Sequence, residues 1–128
     1  MRLNSGRILM LAGCLLALGT LLDAFGTHAL QGQLPPDRMN FYTIAVHYQF
    51  IHALGLLGIG LLARTMDSAL LRWAAAIVLA GILFFCSSLY AMSFAAPRAL
   101  GAVTASGGMA LILGWALFAF TAWRDRQS

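Results

Sequence analysis

The fold of this chain is decided by residues 47–63, which read HYQFIHALGLLGIGLLA. The segment begins with two imidazoles, a phenol and an amide, and it ends in eleven residues without a polar side chain. With the mostly apolar residues before it, the run covers 43–63 and carries no Asp or Arg, and about 20 such residues cross the hydrocarbon core of a bilayer. The segment therefore predicts a membrane-spanning helix with polar groups near one end.

Three further apolar runs, separated by charged or proline-bearing breaks, have similar lengths. The first is longer than the core of a secretory signal, so we expect it to remain in the membrane. None shows the alternation of barrel strands, which leaves helices as the spanning form. The sequence thus predicts an all-α fold, an integral membrane antiparallel four-helix bundle that forms one domain over residues 1–128. The expected spans are approximately 8–26, 40–63, 72–95 and 99–123.

The composition excludes several classes of protein. Hydrophobic residues make up 61% of the chain and charged residues 9%, which does not fit a soluble domain. The basic residues lie between the apolar runs and form no soluble basic face, so no nucleic-acid partner is expected. Cys14 and Cys86 lack CxxC or zinc-ligand spacing, and we expect them to be small core residues. We predict no metal site and no cofactor.

The arginines indicate how the helices are oriented. Six of them lie at the two termini and in the second loop, and two lie in the first and third loops. Because cytoplasmic loops carry the excess of basic residues, both termini are predicted to be cytoplasmic. The first set is Arg2, Arg7, Arg64, Arg72, Arg124 and Arg126, and the second is Arg38 and Arg98.

Most polar side chains of the four spans fall at a similar depth. A helical rise of about 1.5 Å per residue places them in the outer third of the bilayer, whereas the inner half holds Leu, Ile, Ala and Gly. The sequence therefore predicts a polar layer to which every helix contributes. Its members are Asp23, His47, Ser87, Ser88, Tyr90, Thr104 and Ser106, with Gln49 and His52 among them or just beneath.

The two histidines of the opening segment need separate explanations. A rotation of 100° per residue sets His47 and His52 about 140° apart on one helix. Tyr48, Gln49 and His52 form one polar face, which we assign to the interior of the bundle. His47 shares a face with apolar residues and is expected to reach headgroups or water.

Asp23 and His52 each allow two interpretations. Asp23 is the only carboxylate within a span, and it is either paired with His28, Tyr90 or Arg98, or simply wetted near the interface. His52 is either a core histidine that fixes helix register or part of a ligand pocket. A metal or haem site would need a second ligand at the same depth, and only His28 is available, which disfavours that chemistry.

Small residues recur at helical spacing and predict close approach of helices. Such residues favour packing in membranes, either within the chain or between copies, and the sequence leaves both open. The predicted packing residues are Ala102, Ser106, Ala110 and Gly114 in the fourth span, where Gly107 and Gly108 widen the stripe near the outer end, and Gly55 and Gly58 in the second.

Four motifs together resemble one known family. They are AFGTHAL (24–30), YQFIH (48–52), LFFCSSLY (83–90) and VTASGGMALILGW (103–115). In order and spacing they resemble the domain of unknown function 423 family, the YgdD-like small bacterial inner-membrane proteins. The resemblance implies a four-helix protein of the bacterial inner membrane and no particular reaction, ligand or partner. Asp23 and Ala105 depart from it, standing where the family pattern has glycine and proline.

We predict a membrane accessory or assembly subunit that contacts the bilayer and forms a homo-oligomer or part of a larger membrane complex. The alternative is a binding or transport module whose outer-leaflet pocket takes a small polar ligand, a lipid headgroup, a quinone or a proton. An enzyme is disfavoured because the serines lack a context such as GxSxG. The candidate polar cluster or ligand pocket consists of Asp23, His28, Tyr48, Gln49, His52, Ser88 and Tyr90.

Overall fold

Four long α-helices form the chain in a computed structural model that describes residues 3–127, the side chain of Gln127 excepted. Each is long and apolar enough to cross a membrane, and no strand occurs among these residues, so the predicted all-helical class is confirmed. Arg2, which entered the orientation argument, lies outside the described residues. The helices are α1 (Ser5–Phe25), α2 (Pro36–Leu62), α3 (Ala69–Ser93) and α4 (Gly101–Gln127).

The helix starts follow local side-chain chemistry. The Asn4 side chain accepts a hydrogen bond of 2.9 Å from the Arg7 backbone N–H and so caps α1. Ser68 caps α3 in the same way by accepting from Leu71 at 3.2 Å. Helix α2 begins at Pro36, four residues before the predicted start of its span, because a proline ring is preorganised for the first helical turn.

The segment 27–39, which lies between the first two expected spans, is partly helical. Helix α1 continues into a π-helical turn, Gly26–Leu30, closed by the Gln31 N–H bonded to the Gly26 carbonyl at 2.9 Å. A Cβ at Gly26 would lie 2.6 Å from the Tyr42 ring. Glycine thus lets the wide turn rest against α2, a tertiary contact that the apolar pattern does not encode.

The helices pack mainly in chain order, α1 on α2, α2 on α3 and α3 on α4. In the most apolar stretches of α2 and α3, 39% of the residues are buried, against 17% in α1 and α4. Helices α2 and α3 therefore form the centre, while α1 and α4 keep most of their surface exposed. The main core consists of Ile8, Ala12, Ala45, Leu56, Ile59, Leu71, Ala75, Val78, Ile82, Cys86, Leu89, Met92 and Leu111.

Glycines set the distance between α3 and α4. A Cβ at Gly107 would overlap the Phe85 backbone, and one at Gly114 would lie 2.7 Å from Val78. The contact face of α4 thus includes Gly107, one of the two glycines expected to widen the stripe of small residues near its outer end. Of that stripe, Gly114 is buried, Ala110 is half-buried, and Ala102 and Ser106 are exposed. On α2, Gly55 lies under Trp115, and Gly58 has open space beside it.

Candidate functional site

Gln49 is the centre of a buried polar network that joins three helices. Its side chain is enclosed, with the residue 2% exposed. The amide nitrogen donates to the Leu15 carbonyl of α1 at 2.8 Å, and the amide oxygen accepts from the Tyr90 hydroxyl of α3 at 2.7 Å. Because a buried polar group without a partner is costly in lipid, these two bonds hold α1 and α3 to α2.

A small residue on α1 makes room for this amide. A Cβ at Gly19 would lie 3.3 Å from the Gln49 amide nitrogen and 3.3 Å from the Phe50 ring. Glycine therefore allows the amide to reach the Leu15 carbonyl, which has a second lone pair beyond the one used within the helix.

Two more groups extend the network along α2. The Tyr42 hydroxyl donates to the Leu22 carbonyl, and the Tyr42 and Tyr90 rings meet edge to face with centroids 5.3 Å apart. The Cys86 thiol donates to the Ala45 carbonyl at 3.4 Å. Within residues 3–127 no fully buried side-chain nitrogen or oxygen lacks a partner. The network is thus closed, which is the property expected of a structural link.

A second polar pair joins α3 to α4. The hydroxyls of Ser88 and Thr104 are hydrogen-bonded at 2.5 Å. Each hydroxyl also lies within hydrogen-bond distance of a carbonyl of its own helix, that of Phe85 for Ser88 and that of Leu100 for Thr104. Both hydroxyls therefore find their hydrogen-bond partners within the protein, and the pair fixes the register of α3 against α4 near the Gly107 contact.

His52 takes part in a different arrangement, between α2 and α4. The Trp115 indole N–H donates to His52 Nδ1 at 2.9 Å. Gly55 permits this contact, because a Cβ there would lie 2.5 Å from the indole ring. The Tyr48 ring lies 5.4 Å from that of His52 and 4.5 Å from that of Phe85, centroid to centroid.

These aromatic side chains line a groove of about 660 Å³ that opens on the surface of the chain at mid-length of α2 and α4. In a bilayer such a surface faces the acyl chains. The groove is lined by His47, Tyr48, Ile51, His52, Phe85, Gly108, Leu111, Ile112 and Trp115.

A smaller cleft of about 350 Å³ lies at the end of α1, between the π-helical turn and α2. Asp23 and His47 are among its lining residues, and both are exposed. Arg98, one expected partner of Asp23, instead forms an ion pair with Asp37 at 2.9 Å. His28 is exposed in the π-helical turn, and its side chain makes no hydrogen bond within residues 3–127.

The candidate residues therefore divide into three places. Gln49, Ser88 and Tyr90 lie in the closed internal links, Tyr48 and His52 line the groove, and Asp23 and His28 lie at the exposed end of α1. Tyr48, Gln49 and His52 were expected to face the bundle interior together. Gln49 is buried, but Tyr48 is 38% exposed, so the three side chains do not share one interior face. Within the described residues, no three His, Cys, Asp or Glu side chains are grouped as metal ligands.

Sequence reasoning from residue types did not assign the partners Tyr42 and Trp115. Trp115 carries an indole N–H far from either helix end of α4, and such a group needs a hydrogen-bond partner when it is away from the interface. This depth is a signal in the sequence that would have indicated an interhelical bond. Tyr42 carried no comparable signal, because its phenol could equally have reached the membrane surface.

Comparisons with known proteins agree with this architecture. The family model described as "Protein of unknown function (DUF423)" matches residues 22–108. A UPF0382 membrane protein of Staphylococcus epidermidis is 42% identical over 108 residues, which cover 84% of this chain and 86% of that relative. The UPF0382 membrane protein YwdK of Bacillus subtilis is 36% identical over 116 residues, covering 90% and 93%. No solved structure matches the chain.

Proposed function

Since this chain belongs to the DUF423 family and its relatives are named membrane proteins, we propose that it is an accessory subunit of a membrane assembly. Its geometry favours lateral association with other membrane helices through α1 and α4. This role places the chain in the bacterial inner membrane with α2 and α3 as its rigid centre. Neighbouring membrane helices, from a second copy or from a larger complex, pack against the two outer helices.

We infer an antiparallel arrangement of consecutive helices from the pairs that meet. Gly60, near the end of α2, lies beside Leu9 at the start of α1, whereas Gly19 lies beside Phe50 in the middle of α2. Residue numbers thus fall along one helix as they rise along the other. The pairing of Gly107 with Phe85 and of Gly114 with Val78 follows the same rule for α3 and α4.

Both termini and the second loop lie at one end of this arrangement. Asn4 and Asp67 line a common cavity of about 380 Å³, and Met66 and Arg124 line another of about 390 Å³. The described arginines are in excess at this end, which favours the cytoplasmic side. The ion pair of Asp37 with Arg98 lies at the opposite end and is expected to face the periplasm.

This orientation predicts the outcome of reporter fusions. Green fluorescent protein fused to the C-terminus should fluoresce, because it folds on the cytoplasmic side. Alkaline phosphatase inserted after Gly32, in the connection between the π-helical turn and α2, should be active, because that enzyme matures in the periplasm. The same enzyme at the C-terminus serves as the control and should be inactive. Activity at the C-terminus together with inactivity after Gly32 would contradict the orientation.

The observation that carries the accessory role is the contrast between a saturated interior and two barely buried outer helices. The fully enclosed side-chain nitrogens and oxygens of the described residues are all bonded within the chain, so they require no partner. By contrast α1 exposes Met10, Leu18 and Leu21, and Gly13 on the same helix has nothing within 4 Å of where a Cβ would stand. A small residue between large apolar ones lets a second helix approach closely, which is the usual basis of association in lipid.

Photo-crosslinking in native membranes tests this role. With benzoylphenylalanine at Leu21 of α1 or Leu113 of α4, we expect a discrete protein adduct, whose mass distinguishes a second copy from a different protein. Leu54 on α2 is the matched control, because it is 56% exposed, as is Leu113. We expect only lipid adducts from Leu54. Equal adducts from all three positions, or none from Leu21 and Leu113, would contradict the proposal.

A further inference from the structure

The bond between Trp115 and His52 fixes where the imidazole carries its proton. An indole nitrogen only donates, so His52 Nδ1 accepts and is unprotonated. A charged imidazole would present a second donor to the indole N–H, so this geometry requires the neutral ring. Its single proton is then on Nε2, which is a hydrogen-bond donor.

His52 lines the groove, and its Nε2–H is not enclosed by the protein. The His52 side chain makes no other hydrogen bond within residues 3–127, and the residue is half-buried. No enclosed side-chain nitrogen or oxygen in the described chain lacks a partner, so Nε2 must be accessible from outside. In a bilayer it faces hydrocarbon, where a donor without an acceptor is costly.

The walls beside this donor are aromatic. The Tyr48 and Phe85 rings lie 4.5 Å apart with an interplanar angle of 30°, and the Trp115 ring is inclined by 30° to that of His52. Such surfaces favour a flat ring that stacks in offset geometry. The Tyr48 hydroxyl makes no hydrogen bond within the described residues and is a further donor at the rim.

The depth of the groove selects the occupant. His52 lies ten residues before Leu62, the last residue of α2, and this corresponds to about 15 Å along the axis. Trp115 lies eight residues before Trp123, the expected end of the fourth span, or about 12 Å. Both are near the centre of a ~30 Å hydrocarbon core. The carbonyl and phosphate groups of a phospholipid lie at the interface, too far away to accept from Nε2.

We propose that this groove binds the ring of a lipid-soluble quinone, with one ring carbonyl accepting a hydrogen bond from His52 Nε2–H. The ring stacks against the groove surface formed by the aromatic side chains of Tyr48, Phe85 and Trp115, and its apolar tail runs past Ile112 into the bilayer. A quinone carries carbonyl acceptors on a flat ring that dissolves in hydrocarbon, which matches the donor, the walls and the depth. The proposal concerns binding alone and does not rest on the accessory role.

Ligand titration of the purified full-length chain tests the site. In a Trp73→Phe/Trp123→Phe background, Trp115 is the only indole, and contact with a quinone ring quenches its fluorescence. The probe is decylubiquinone, added to the chain in nanodiscs of phosphatidylethanolamine and phosphatidylglycerol. We expect saturable quenching despite the excess of phospholipid, together with a rise in melting temperature. Decylbenzene, which has a similar tail and no carbonyl, should give neither.

Three variants identify the groove as the site. His52→Leu removes the hydrogen-bond donor and should raise the decylubiquinone concentration at half-saturation about tenfold. Ile112→Phe should abolish saturable quenching, because the larger side chain fills the groove. The bond between Trp115 and His52 stays intact in this variant, so it still tests the site if His52→Leu does not fold. His28→Leu is the matched control, because it makes the same exchange at an exposed position away from the groove, and it should bind normally.

Linear quenching without saturation in the parent chain would overturn the proposal, since it indicates partition into lipid. Equal half-saturation in the parent chain and in Ile112→Phe would also overturn it, because the quinone would then bind elsewhere. A decylbenzene response equal to that of decylubiquinone would replace the hydrogen-bonded site with nonspecific apolar binding.

Discussion

Replacing Gly107 with alanine is expected to push α3 away from α4 and to lower the free energy of unfolding by about 1–3 kcal/mol. The new Cβ would lie 2.8 Å from the Phe85 Cα and closer still to its backbone nitrogen. Backbone atoms of a helix cannot move aside alone, so the whole of α3 must shift. The measurement is unfolding of the purified chain in mixed micelles as the denaturing detergent is increased.

The adjacent glycine provides the matched control. A Cβ at Gly108 would meet only the Phe85 ring, at 3.7 Å, which is an ordinary contact. Gly108→Ala should therefore leave stability unchanged or raise it slightly, since alanine favours a helix over glycine by roughly 0.5–1 kcal/mol. Equal effects of the two substitutions would show that the close approach at Gly107 is not what holds these helices together.

The four spans could be predicted from the sequence, but the faces on which they pack could not. Length and lack of charge identify a spanning helix whatever surrounds it. A helix that is apolar all round, however, carries no stripe that points to its neighbour. Gly107 and Gly108 look alike in the sequence, yet only the first meets the Phe85 backbone. Small residues indicated close packing on α4, and the rotation of the helix decided which of them took part.

The polar layer could likewise be predicted only in part. Counting residues along each helix gives the depth of a side chain. This count put Gln49 and Tyr90 at a similar depth, and the two side chains are hydrogen-bonded in the structure. Rotation separates neighbours in sequence by 100°, so Tyr48 and Gln49 face different surroundings. Because α2 is flanked by α1, α3 and Trp115 of α4, its polar face is divided between an interior link and an open groove. Neighbouring helices, which the sequence of α2 alone does not specify, determine that division.

Gln49→Leu is expected to lower the free energy of unfolding by about 1–3 kcal/mol, because the half-buried Tyr90 hydroxyl would lose its acceptor. Leucine has a similar volume to glutamine, so the loss of stability comes from the broken hydrogen bonds more than from a cavity. The bond to the Leu15 carbonyl is lost as well, which should loosen α1. Gln33→Leu, the same exchange at an exposed position in the connection, is the control and should stay within about 0.5 kcal/mol of the parent chain.

A double-mutant cycle with Tyr90→Phe measures the coupling free energy between Gln49 and Tyr90, apart from the other effects of each substitution. Removing both partners leaves no orphaned group between α2 and α3, so Gln49→Leu/Tyr90→Phe should cost less than the sum of the single changes. Interhelical hydrogen bonds in membranes couple by about 0.6 kcal/mol on average and up to about 1.7 kcal/mol. A coupling near the upper value is expected here, because Gln49 is enclosed and bonded to two helices. Strict additivity would mean that each group finds another partner when the first is removed, and the network would then not be the link that holds the three helices together.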